Sequence, residues 1–149
     1  MKQETVKKLL LMAIALFIGI GSPQVANAQN ETNKRIAQLQ AKYTKKYGAS
    51  SSNNLSKKGI ITKGMSLAFI REYVNDFNQF GFWTHLTLRE YQPTVRDMMQ
   101  FGRTVKSYRI NGVWAFLTLN GKVVSSTCLL DSDFYDSCYL ISMDYNKEP

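Results

Sequence analysis

The stretch TVKSYRINGVWAFLTLNGKVVSSTCLL, from Thr104 to Leu130, decides the fold. Asn111-Gly112 and Asn120-Gly121 each separate runs rich in β-branched and aromatic residues. Asn-Gly readily accepts the positive φ angles of a type I′ turn, so each pair marks a hairpin. The pattern predicts a meander of about Thr104–Ile110, Val113–Leu119 and Lys122–Leu130. With two-residue loops at both turns, Ile110 stands opposite Val113, Tyr108 opposite Ala115 and Leu117 opposite Val124. That face is apolar and suited to cover helices. The other face then carries Ser107, Arg109, Trp114, Phe116, Ser125 and Thr127, and a slip of one residue would exchange the two.

Working outward, Cys138–Tyr145 alternates enough for an edge strand. Upstream, Phe82–Tyr91 alternates Thr84, Leu86 and Leu88 against Trp83, His85, Thr87 and Arg89, which predicts a strand. Pro93 opens a short helical piece with Val95, Met98 and Met99 inward and Gly102 closing it. Ser66 is placed to cap a helix whose stripe is Leu67, Ile70, Val74 and Phe77, flanked by Phe69 and Tyr73. Asn30–Tyr47 reads as an amphipathic helix with Ile36, Leu39, Tyr43 and Tyr47 on one side. Gly48 ends it, and Ala49–Lys58 reads as a Ser/Asn/Lys loop. The expected architecture is α+β: two N-terminal helices packed on an antiparallel meander of three to five strands.

The chain has 149 residues, 44% hydrophobic and 20% charged, a globular composition that excludes collagen-like and low-complexity classes. Residues 1–28 read as a signal peptide. Lys2, Lys7 and Lys8 precede an uncharged apolar run of 13 residues, Leu9–Gly21, and Ala26-Asn27-Ala28 supplies the small residues of a cleavage site. The expected product is a single α+β domain, 29–149, made of a basic helix and loop (29–63) and a helix-plus-meander core (64–149). It is expected to be exported, periplasmic or extracellular. No cysteine follows the apolar run, so a lipoprotein anchor is not expected. Loss of three lysines and one glutamate takes the net charge from +8 to +6.

Gly64-Met65-Ser66 followed by Ile70 resembles the helix start of the SmpA/OmlA (BamE-like) envelope family and of the related β-lactamase-inhibitor-like fold. Asn120-Gly121-Lys122-Val123 is similar to the family's recurrent strand turn, and Lys46–Gly48 with Ile60-Ile61 resembles small exported bacterial proteins of this type. The resemblance covers roughly Gly64–Val124. It implies two helices on one face of an antiparallel meander. The family's Gly-x-Pro after the first helix is missing, with Asn75 where the glycine would fall.

Candidate sites are few. Cys128 and Cys138, ten apart in an exported chain, suit a structural disulfide, with no Cys-x-x-Cys motif for redox work. Asp131, Asp133 and Asp136 lack the glycine and distant glutamate of a calcium loop, so no metal and no cofactor are expected. His85, the single histidine, has no nucleophile-elbow motif beside it, and no catalytic set is assigned. A basic patch of Lys34, Arg35, Lys42, Lys45, Lys46, Lys57, Lys58 and Lys63 offers attraction to an anionic membrane or cell-wall surface. Nucleic acid is not expected as a partner of an exported chain. Trp114 and Phe116 on the outer sheet face, with Arg109 and Tyr108 beside them, are the expected contacts for a protein partner. The function expected first is a non-enzymatic binding or scaffold module of the bacterial envelope. The alternatives are a surface binder using the basic helix, an inhibitor of a secreted enzyme, and a small hydrolase.

Overall fold

The computed structural model describes residues 23–130 and 139–144. The chain divides into two compact units, Met1–Leu39 and Gln40–Pro149, with the boundary inside the first helix. That helix, α1 (Pro23–Tyr47), starts at a proline, whose fixed φ suits a first helical position. Its last turns belong to the second unit, and all that follows concerns that unit.

The second unit is α+β. After α1 come α2 (Ala49–Ser52), a π-helical turn (Asn53–Lys57) and α3 (Leu67–Phe80). Then follow β1 (Leu88–Tyr91), α4 (Val95–Phe101), β2 (Lys106–Ile110), β3 (Trp114–Leu119) and β4 (Lys122–Cys128). The four strands form one antiparallel sheet in chain order. The expected meander is present, with β1 added at one edge.

Serine chemistry corrects the expected loop at Ala49–Lys58, which is helical. The Ser52 hydroxyl donates to the Gln40 carbonyl at 3.1 Å and the Ser56 hydroxyl to the Ser52 carbonyl at 2.6 Å. Small side chains that hydrogen-bond locally can be buried where longer polar ones cannot, and Ser52, Leu55 and Ser56 are all buried. The C-terminal segment seals this turn. The Met143 N–H donates to the Ser56 carbonyl at 3.0 Å, and the Ser142 hydroxyl donates to the Lys57 carbonyl at 2.9 Å. Ile141 and Met143 are fully buried, and the Tyr73 hydroxyl donates to the Ile141 carbonyl. Tyr139–Ile141 is a short 3₁₀ turn instead of the expected edge strand, with the Tyr139 carbonyl accepting the Ser142 N–H at 2.8 Å and the Ile141 carbonyl accepting from the Tyr73 hydroxyl. Cys138 and Tyr145, the ends of that expected strand, lie outside the described residues.

The core is aromatic. Ser66 caps α3 as expected, its hydroxyl accepting from the Ala68 N–H at 3.1 Å. Phe69, Ile70, Tyr73, Val74 and Phe77 are buried along α3. Tyr43 meets Phe69 and Tyr73 with ring centroids 5.2 and 5.8 Å apart, and Tyr47 stacks on Phe69 at 4.8 Å. Above the rings, Lys42 bridges Glu72 and Asp76 at 3.2 and 2.7 Å, while Lys46 meets Glu72 at 2.7 Å. The Tyr43 and Tyr47 hydroxyls donate to Asp76 and Glu72. Lys46, Tyr47 and Lys42 together hold the Glu72 carboxyl down at about 2.

Two asparagines take over where a strand was expected. The Asn78 amide exchanges two hydrogen bonds with Leu86, donating to its carbonyl and accepting its N–H, both at 2.8 Å. The Asn111 side chain accepts from the Thr87 N–H at 2.7 Å and donates to the His85 carbonyl at 3.0 Å. Asparagine side chains therefore hold the His85 carbonyl, both backbone groups of Leu86 and the Thr87 N–H, and the ladder starts only at Leu88.

Candidate functional site

The faces of the sheet follow from its turns. Asn120-Gly121 is the expected two-residue loop, with φ of 52° and 78° and Leu119 opposite Lys122. The first hairpin closes one residue later than expected. Ile110 pairs with Trp114, Tyr108 with Phe116 and Arg109 with Ala115, so Asn111, Gly112 and Val113 form a three-residue loop. Asn111 keeps a positive φ of 48°. Farther along, a bulge lets Leu117 pair with Ser125 while Thr118 still pairs with Val123, which leaves Val124 as the extra residue.

The loop shifts β3 by one and the bulge shifts β4 back, so β3 alone is turned over relative to the expected register. Trp114, Phe116 and Thr118 face inward, and Ala115 and Leu117 face outward with Ser107, Arg109, Ser125 and Thr127. Trp114 is 7% exposed, Phe116 2% and Tyr108 2%. The Trp114 indole N–H donates to the Gly59 carbonyl at 3.1 Å, the partner a buried indole needs. These three residues are core, and the expected aromatic contact surface is corrected accordingly. Arg109 is exposed on the outer face, as expected.

A different site occupies that face. A groove of about 290 Å³ runs over β2–β4, floored by Ser107, Ala115, Leu117, Ser125 and Thr127. Its rim is Tyr91, Gln92, Thr94, Asp97 and Arg109. The Arg109 guanidinium lies 4.8 Å from the Tyr91 ring centroid, a cation–π stack that fixes its direction. Arg109 also pairs directly with Arg89 across β1 and β2. Like charges set opposite one another in a ladder are unfavourable, and among the described residues neither arginine has a carboxylate partner. Asp97, the acid nearest the groove, is already engaged. Its carboxylate accepts the Thr94 N–H at 3.2 Å while Thr94 accepts the Asp97 N–H at 3.0 Å, a capping box that fixes the start of α4.

α4 itself corrects another expectation. None of its residues is buried, and Val95 and Met99 are 68% and 82% exposed, whereas they were expected to point inward. The helix is positioned by its capping box and by Gly102, at φ 101°, which closes it as expected. Its apolar side chains Val95 and Met99 are consequently left at the surface.

The residues of the expected basic patch differ in their surroundings. Lys42 and Lys46 are bound in the carboxylate network of α3. Lys45, Lys57, Lys58 and Lys63 are exposed, as are Lys34 and Arg35 of the first unit. Cys128 is disulfide-bonded; Cys138 and the aspartates at 131, 133 and 136 lie outside the described residues. His85 is exposed, with its carbonyl held by Asn111. Among the described residues no group of three or more His, Cys, Asp or Glu is placed to hold a metal ion, and no helix is long and apolar enough to cross a membrane.

No protein-family model matches the chain, and no curated protein or solved structure matches it. Sequence reasoning missed Tyr91, Gln92, Thr94 and Asp97 as groove residues, and Arg89 as the cross-strand neighbour of Arg109. The Thr94–Asp97 capping spacing was readable, but the arginine pair becomes visible only once the β1–β2 register is known.

Proposed function

We propose that the protein is an exported, non-enzymatic binding module of a bacterial cell envelope, released from its leader after Ala28, whose outer sheet face holds an acidic segment of a protein partner. The observation that carries this reading is the Arg89–Arg109 pair beside the groove. Two exposed guanidinium groups set opposite each other cost the free protein stability, and a carboxylate from a partner relieves that cost while gaining bidentate hydrogen bonds. Tyr91 preorganises Arg109, and the polar floor of Ser107, Ser125 and Thr127 offers hydroxyls to an extended backbone. The resemblance of Gly64–Val124 to the SmpA/OmlA (BamE-like) family agrees with an envelope setting.

The test is affinity capture from native envelope extract, with the protein and its Arg89→Glu/Arg109→Glu variant as baits. A protein retained by the native bait and lost from the charge-reversed one supports the reading. Equal retention by both baits, or no retention by either, overturns it. A surface-binding role through the exposed Lys45, Lys57, Lys58 and Lys63 is the second reading. It expects cosedimentation with anionic vesicles that disappears as salt rises, with no dependence on Arg89 or Arg109.

A further inference from the structure

A second cleft opens on the opposite face of the sheet, where the start of α3 meets the first residue of β2 and the Asn120-Gly121 turn. Its volume is about 410 Å³, within the range of small-molecule sites. Arg71 and Lys106 line it, with Thr104, Thr118 and Asn120, and no carboxylate does. Among the described residues neither cation has an ion-pair partner. Arg71 is nonetheless held in place. Its guanidinium lies 5.5 Å from the centroid of the Tyr108 ring, and one of its nitrogens is 3.5 Å from the Tyr108 hydroxyl. Tyr108 is itself fixed in the core, stacked on Phe116 at 5.5 Å.

We infer that this cleft is a binding site for a small molecule bearing a phosphate group. A phosphate monoester carries roughly −1.5 to −2 charges near neutral pH, which matches one arginine and one lysine, whereas a single carboxylate would leave one cation unmatched. The rigid, planar donor fork of Arg71 suits two phosphate oxygens, and Lys106 supplies a mobile point charge. The hydroxyls of Thr104 and Thr118 and the amide of Asn120 are donors for the remaining oxygens. The start of α3 contributes little, because the Leu67 N–H already bonds the Gly121 carbonyl at 2.9 Å and the Ala68 N–H bonds Ser66. Recognition rests on side chains, and it uses no residue of the outer groove.

The test is a titration of the protein with glycerol phosphate at constant ionic strength, followed by backbone amide NMR, with acetate as the carboxylate control. A parallel arm uses phosphatidylcholine vesicles with and without phosphatidic acid, whose headgroup is a phosphate monoester, which separates a free ligand from a lipid headgroup. The expected result is saturable shifts at Thr118, Asn120 and Gly121 with glycerol phosphate or with the anionic vesicles. Affinity should fall about tenfold or more in Arg71→Gln and in Lys106→Gln, the size of one charge-assisted hydrogen bond. Arg96→Gln, on α4 and outside the cleft, should bind as the native protein does. Because Arg71 also contacts Tyr108, Lys106→Gln is the variant that separates binding from folding. The inference is overturned if shifts fail to saturate, if acetate gives the same response, or if Lys106→Gln leaves the affinity unchanged.

Discussion

Truncating Phe116 and Leu117 one at a time tests the register that turns β3 over. Phe116 is 2% exposed, and its ring stacks on Tyr108 at 5.5 Å and 20°. Phe-to-Ala truncation in a core costs about 3–5 kcal/mol, including the cavity left behind. Leu117 lies on the outer face, half-buried against the groove, where a truncation costs about 1 kcal/mol. With a urea dependence of about 2 kcal/mol per molar for a chain of this size, Phe116→Ala lowers the unfolding midpoint by about 2 M. Leu117→Ala lowers it by about 0.5 M on the same basis. Equilibrium unfolding followed by far-ultraviolet circular dichroism measures both. A domain stable by about 5–15 kcal/mol still folds after the larger loss, and Phe116→Leu supplies a milder member of the series. Two-residue loops at both turns would put Leu117 in the core and Phe116 outside. A midpoint that falls as far for Leu117→Ala as for Phe116→Ala would refute the three-residue loop and the groove drawn from it.

Asn111→Gly keeps the backbone conformation but loses the bonds to His85 and Thr87, so residues 85–87 should exchange amide hydrogen faster; Asn120→Gly, at a turn whose side chain has no such role, should leave them unchanged. Ser142→Ala removes the hydroxyl that reaches the Lys57 carbonyl and should cost about 1 kcal/mol by denaturant unfolding, the net worth of a part-buried hydrogen bond. The folded-state Glu72 carboxyl lies at about 2, below its ordinary value of 4.5, so its contribution is full above about pH 4.5 and is lost as the pH falls from there towards 2. Glu72→Gln should therefore flatten that part of the acid-unfolding curve while lowering stability near neutrality, and an unchanged acid limb would count against the network. Thr94→Ala should cost about 1 kcal/mol of α4 stability by removing half of the capping box, read as faster amide exchange in Val95–Met98.

The two Asn-Gly pairs were enough to place three strands and both turns, because positive φ is a strong and local requirement. They did not fix how many residues each loop contains. That number is set by Val113, which is buried under the hairpin, and by the bonds of the Asn111 side chain to a segment some 24 residues earlier in the chain. β3 carries large apolar residues on both faces, so alternation could not choose between them. The α3 stripe and its cap were readable, since all their determinants lie within a few turns of one helix. Ala49–Lys58 was not, because a serine-rich run becomes helical core only through partners such as Gln40 and Met143 that local sequence does not reveal. The groove had the same difficulty: Arg89 and Arg109 are twenty residues apart and meet only through strand pairing.

The bonds between Ser56 and residues 142–143 also bear on when the chain can finish folding. They join positions 86 residues apart, and a loop of that size costs about 4 kcal/mol to close, apart from a constant term. Ile141 and Met143, which fill the core beside Tyr73, follow all four strands of the sheet in the chain. Until they emerge, the helical layer lacks its floor and the Ser56 and Lys57 carbonyls lack their donors. A nascent chain therefore lacks this part of its core until after β4 has emerged.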